Sequence, residues 1–180
     1  MAKPGIRRVV TGTSPAGDSV VVSDRTVSPK TPALMPGAEF FSLWGADSAP
    51  SFPNDGAEPP FATWFPPAEG YRFEIITIPP TSTPQPSGLD ITAATADAER
   101  ELPGLFAAMD KDHPGMHRTD TVDLLYVLSG RCTIRLDDGA TVDLAEGDTA
   151  VQNGVRHAWN VPGDTPCRLL CVSIGGTRKP

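Results

Sequence analysis

The chain has 180 residues, a net charge of −7 and 15 lysines and arginines that form no cluster, which argues against nucleic acid as a partner. No apolar run approaches the roughly 20 residues that a membrane helix needs, so no membrane partner is expected. The segment Met1–Pro15 carries Lys3, Arg7 and Arg8 without the apolar stretch of a secretion signal, so a cytoplasmic location is expected.

Of the 20 prolines, 17 fall at or before Pro114, three at or after Pro162, and none between them. Proline cannot donate to a ladder, so continuous sheet is expected from Gly115 to Val161. In chain order, Ile6–Gly12 and Ser19–Ser23 read as a hairpin around a Ser-Pro-Ala-Gly-Asp turn. Glu39–Gly45 is an aromatic-rich strand, and Ala46–Glu69 a proline-rich excursion tacked down by Phe61, Trp64 and Phe65. Tyr71–Ile78 is a strand ended by Pro79 and Pro80. One helix is expected around Thr95–Leu102, with Thr95 or Asp97 near its cap, acidic residues in its first turns and Pro103-Gly104 interrupting it.

Five further runs, Val122–Leu128, Cys132–Leu136, Thr141–Leu144, Thr149–Gln152 and Arg168–Ile174, are punctuated by Gly, Asp and Asn turns. That rhythm predicts an all-β antiparallel sandwich or barrel of the jelly-roll type. The chain divides into 1–114, with N-terminal strands, wrapping loops and the short helix, and 115–180, the barrel core, packed as one structural domain. Cys132, Cys167 and Cys171 are an odd set without a CxxC pair and read as buried free thiols.

Three histidines carry the chemistry to be weighed: His113 in a polar loop, His117 in His117-Arg-Thr-Asp-Thr-Val-Asp123, and His157 after the Asn153-Gly154 turn. On one straight strand His117 and Asp123 would lie roughly 20 Å apart. A shared site therefore requires a bend, and Thr119-Asp120-Thr121 is where it is expected. His113 reads as solvated.

These two segments resemble the motifs of the cupins. Asp123 to Gly130 has the six-residue gap of the first cupin motif, with His117 where its first histidine belongs; Gly147-Asp148, Gly154-Val-Arg-His157 and Asn160 resemble the second motif. The pattern looks like a bacterial branch of single-domain cupins. It departs from the family in Thr119 for the second histidine, Asp123 for glutamate, and Asn153 near the usual proline.

The resemblance implies a cupin-type double-stranded β-helix with a ligand in its mouth. His117, Asp123 and His157 would be the metal ligands, for a divalent Fe, Zn, Mn or Ni ion, since two histidines and a carboxylate suit such ions. Asp123 and His157 would be the catalytic residues, and Thr119, Thr121, Tyr126, Gln152 and Trp159 the substrate-binding ones. The leading expectation is a metal-assisted lyase acting on a small carbonyl or carboxylate compound, by decarboxylation or dehydration. The alternatives are a non-haem Fe(II) dioxygenase, a metal-free acid/base enzyme built on Asp123 and His157, and a small-molecule binder without turnover. A homodimer is expected, paired through the hairpin and Phe40, Phe41 and Trp44.

Overall fold

The computed structural model describes residues 5–179; Lys3, weighed above, lies outside them. Its elements are β1 (Ile6–Thr13), β2 (Ser19–Val27), β3 (Glu39–Ala46), β4 (Tyr71–Ile78), α1 (Ile91–Glu101), a 3-10 turn (Phe106–Ala108), β5 (Thr121–Ser129), β6 (Arg131–Leu136), β7 (Thr141–Ala145), β8 (Thr149–Asn153), β9 (His157–Asn160) and β10 (Cys167–Gly175). A five-stranded sheet, β3-β4-β10-β5-β8, faces a three-stranded one, β7-β6-β9, and β1-β2 form a separate ribbon. All pairings are antiparallel, as the short turns between the strands require. No helix among the described residues is long and apolar enough to cross a membrane.

The barrel core follows from alternation. Along β10, Cys167, Leu169, Cys171 and Ser173 point inward, and along β5, Leu125 and Val127 do. They meet Cys132, Ile134 and Leu144 from the facing sheet and Val161 just after β9. The three cysteines are free and buried in this core. Gly130, at φ 79°, turns β5 into β6; a Cβ there would stand 2.4 Å from the Pro166 carbonyl oxygen, so the position excludes any side chain.

A second cluster, Ala38, Phe40, Trp64, Leu102 and Leu105, closes one end of the barrel. It joins β3, the proline-rich excursion and the end of α1, with the Phe40 and Trp64 rings edge-on at 5.6 Å. Arg72 is the strut beneath it. This fully buried side chain donates to the carbonyls of Thr63, Trp64, Ala46 and Tyr71 and pairs with Asp47 at 2.5 Å, under the Phe61 ring at 4.0 Å.

Three elements differ from the sequence reading. Helix α1 begins at Ile91 because Asp90 caps it, accepting from the Ala93 N–H, so its first turn holds no acidic residue. Strand β9 is an addition to the runs expected from the sequence, being only four residues long and next to a turn. Phe40 and Phe41 are buried in their own fold and are not offered to a partner, while Trp44 is half-buried beneath the Arg8 guanidinium at 5.2 Å.

Candidate functional site

The barrel and its closing cluster enclose a cavity of about 320 Å³. Its wall is largely aromatic and aliphatic, including Phe40, Trp64, Phe65, Met109, Leu125 and Trp159, while His117, His157, Asp123, Glu74 and Ser173 supply a polar end.

Main-chain pairing brings the histidines together. His117 forms a two-way bridge with His157, at 2.9 and 3.0 Å, so residue 117 extends the sheet beyond β9. Their rings lie 4.2 Å apart. Each Nδ1 faces the carbonyl two residues earlier, Gly115 at 3.2 Å for His117 and Val155 at 3.0 Å for His157. A carbonyl only accepts, so each Nδ1 carries the proton and donates it, leaving each Nε2 a lone pair. Trp159 meets the His157 ring edge-on at 5.8 Å.

Burial pushes the His117 imidazole down to about 4, helped by the neighbouring His157 and opposed by the Gly115 bond and Asp123. His157 is also lowered by burial, against its bond to Val155. Both rings are therefore neutral at neutral pH and available as proton acceptors.

The bend between His117 and Asp123 lies at Asp120, as the spacing required. The C-terminal tail holds it: the Gly176 N–H donates to the Asp120 carbonyl at 2.7 Å, and Arg178 bonds Asp120 Oδ1 at 2.6 Å and the carbonyls of Thr119 and Gly154. Asp123, starting the inward face of β5, reaches the cavity with Oδ1 buried and unpartnered. Burial raises its carboxyl, opposed by the Ser173 and Thr121 hydroxyls and by His117. Among the described residues no three His, Cys, Asp or Glu side chains converge as a metal would need. His117, Asp123 and His157 thus share one cavity without forming a three-ligand set, and the arrangement does not fit a facial-triad ion.

The other expected contacts divide. Trp159 lines the cavity. Thr119 and Thr121 are buried but bond each other, Oγ1 to Oγ1 at 2.7 Å, and stand outside its wall. Gln152, paired with Asp123 in the β5–β8 register, is buried with Nε2 unpartnered, also outside the wall. Tyr126 is a correction: strand parity opposite to Asp123 and Leu125 turns it to the exposed outer face. His113 stays exposed beside Asp110.

Glu74 was missed by the sequence reading. It sits on β4 opposite Cys171, is 3% exposed, lines the cavity and has no partner for Oε1. Burial raises its carboxyl well above the ordinary range, Arg72 opposing and Asp123 adding to the rise. In Tyr-Arg-Phe-Glu-Ile-Ile the two charges read as a solvent face; only their parity with Ile76 and Ile78, flanking them in sequence, hints otherwise.

The antiparallel jelly-roll barrel is an architecture that cupins share with other double-sheet folds. Residues 107–173 match the cupin domain family, so this stretch of the chain is similar to a cupin domain. Two curated proteins from Diaporthe leptostromiformis, phomopsin biosynthesis cluster proteins C′ and D, are each 46% identical to this chain over 60 residues. The match spans 33% of this chain and about a third, 32%, of each relative's own length. Among solved structures, the Schizosaccharomyces pombe Cnp3 cupin domain is similar at TM-score 0.48 and 10% identity, covering 94% of this chain and 87% of that one. A predicted oxalate decarboxylase from Thermotoga maritima is similar at TM-score 0.44 and 16% identity, covering 82% and 92%.

Proposed function

We propose that this protein is a metal-free, lyase-type enzyme that dehydrates a small hydroxylated carbonyl compound, with His157 as base and Asp123 as acid. The observation that carries the reading is geometric: two imidazoles, each bonded at Nδ1 to a carbonyl, and a carboxyl with Oδ1 unpartnered line one apolar cavity, where burial lowers the imidazoles and raises the carboxyl. The relatives' names, which place them in a biosynthesis cluster, support a small-molecule role.

His157 Nε2 takes the proton from the carbon next to the carbonyl, and that C–H pair becomes the new C=C bond. The C–O bond to the neighbouring hydroxyl breaks, and Asp123 gives its proton to the departing oxygen, which leaves as water. The base ends protonated and the acid ionised; return of the proton from His157 to Asp123 resets the site. His117, bridged to His157, keeps that ring oriented, and Trp159 packs on it and excludes water.

The test uses 4-hydroxy-4-phenylbutan-2-one, whose dehydration gives a conjugated enone followed by ultraviolet absorbance. The wild-type protein should form the enone, and His157→Ala and Asp123→Asn should each slow it by about 100-fold or more. A wild-type rate equal to buffer, with the ketone still bound, would identify a binder without turnover.

The assembly we propose is a homodimer. Phe73, Leu124, Val151 and Ile174 leave an apolar outer face on the five-stranded sheet, which a second copy would cover.

A further inference from the structure

Glu74 is a poor choice for holding the fold together. Its Oε1 has no hydrogen-bond partner among the described residues, although the side chain is almost wholly out of solvent. A buried polar group left unpaired opposes folding, so an apolar residue of the same size would serve packing better. Nearby cations do not answer it. Arg72 is occupied by Asp47 and by carbonyls of the closing loop, and Lys30 donates to the Glu101 carbonyl beneath α1 at 2.5 Å. No lysine or arginine among the described residues lines the cavity.

The wall is therefore apolar over most of its area and ends in two carboxyls and two neutral imidazoles, with nothing to balance an incoming negative charge. A carboxylate ligand entering this cavity would be desolvated beside Asp123 and Glu74 without a counter-ion. An uncharged oxygen meets a donor. Burial holds the Glu74 carboxyl toward its protonated form, which supports the same direction.

We infer that Glu74 is the specificity-determining donor of this site, selecting an uncharged ligand with an apolar body by bonding its carbonyl oxygen at the polar end of the cavity. The inference rests on reading this cavity as the ligand site. It narrows the substrate class to neutral carbonyl compounds and sets aside the small carboxylates that the sequence left open.

Three probes of nearly one size and different charge test it: acetophenone, benzoate and benzylamine, titrated into the full chain at neutral pH. Binding is read from the Trp159 indole N–H resonance, since Trp159 lines the cavity. Acetophenone should bind at least about tenfold more tightly than either charged probe, and Glu74→Leu should weaken it by about tenfold. Glu74→Gln, whose amide still donates, should stay within about threefold of wild type. The thermal midpoint of Glu74→Leu should not fall, which separates lost recognition from lost folding.

Benzoate or benzylamine binding as tightly as acetophenone, or Glu74→Leu binding acetophenone like wild type, would overturn the inference while leaving the cavity as the ligand site. Silence from all three probes would remove both.

Discussion

His117 and His157 bond each other through their main chains in both directions, at 2.9 and 3.0 Å, so the backbone that carries each imidazole is fixed by strand pairing. Each ring is also fixed at Nδ1 by its own local carbonyl. Two bare Nε2 atoms thus face one cavity on rigid backbone, the condition for a base that works without reorganising.

The first prediction concerns their protons. His117, pushed down to about 4, should remain neutral through mild acid, with His157 also below the ordinary value. Because both folded values are depressed, the unfolded chain binds more protons across the window from about 6.5 down to about 4, and stability falls as pH falls through it. Nitrogen NMR of the side chains should show the Nδ1–H tautomer in both rings and a His117 midpoint near 4. A His117 midpoint at the free-imidazole value would contradict the burial and bonding described for it.

Arg72 on β4 holds the excursion over 47–69 through three groups, the Asp47 carboxylate and the Thr63 and Trp64 carbonyls, and also bonds the Ala46 carbonyl at the end of β3. Replacing it with Met leaves those carbonyls unanswered and Asp47 unpaired, which should cost about 3–5 kcal/mol in urea unfolding. The variant should also be cut by protease within 47–69 before the barrel is. Stability unchanged from wild type would remove Arg72 as the strut.

Glu74 should behave in the opposite way. Its folded value is raised, so its ionisation opposes the native state increasingly as pH rises above the unfolded carboxyl value. Glu74→Leu should therefore raise stability by about 1–3 kcal/mol near neutrality, and by more at about pH 8 than at about pH 5. Calorimetry checks this; a gain that shrinks with rising pH would contradict the sign.

What the sequence showed and hid follows one physical division. Turn residues and two-residue alternation are local signals, so β5–β8 and β10 were legible within a residue or two at their ends. His117, His157 and Trp159 were legible because motif spacing survives in them. Strand β9 was not, because its four residues are held by β6 and by His117, contacts distant in sequence. Glu74 and Arg72 were hidden because charge on a strand normally marks the wet face, and β4 reverses that at the strut and at the cavity. Tyr126 was misjudged by type: an aromatic near a motif suggested a pocket, while parity sends it outward.

The proposed dimer can be broken at the outer sheet face. Leu124 and Val151 are cross-strand neighbours there, both exposed. The double variant Leu124→Lys, Val151→Lys should run as a monomer on gel filtration where the wild type runs as a dimer. Identical elution of the two proteins would place any interface elsewhere.

The central claim is that this chain's own imidazole and carboxyl move the protons. The measurement that tests it most directly is the dehydration rate of 4-hydroxy-4-phenylbutan-2-one by protein stripped with a chelator, with and without added Fe(II), Zn, Mn or Ni. The account predicts the full rate in stripped protein and no gain on adding any ion. A rate lost on stripping and restored by one of those ions would contradict it and assign the chemistry to a bound metal.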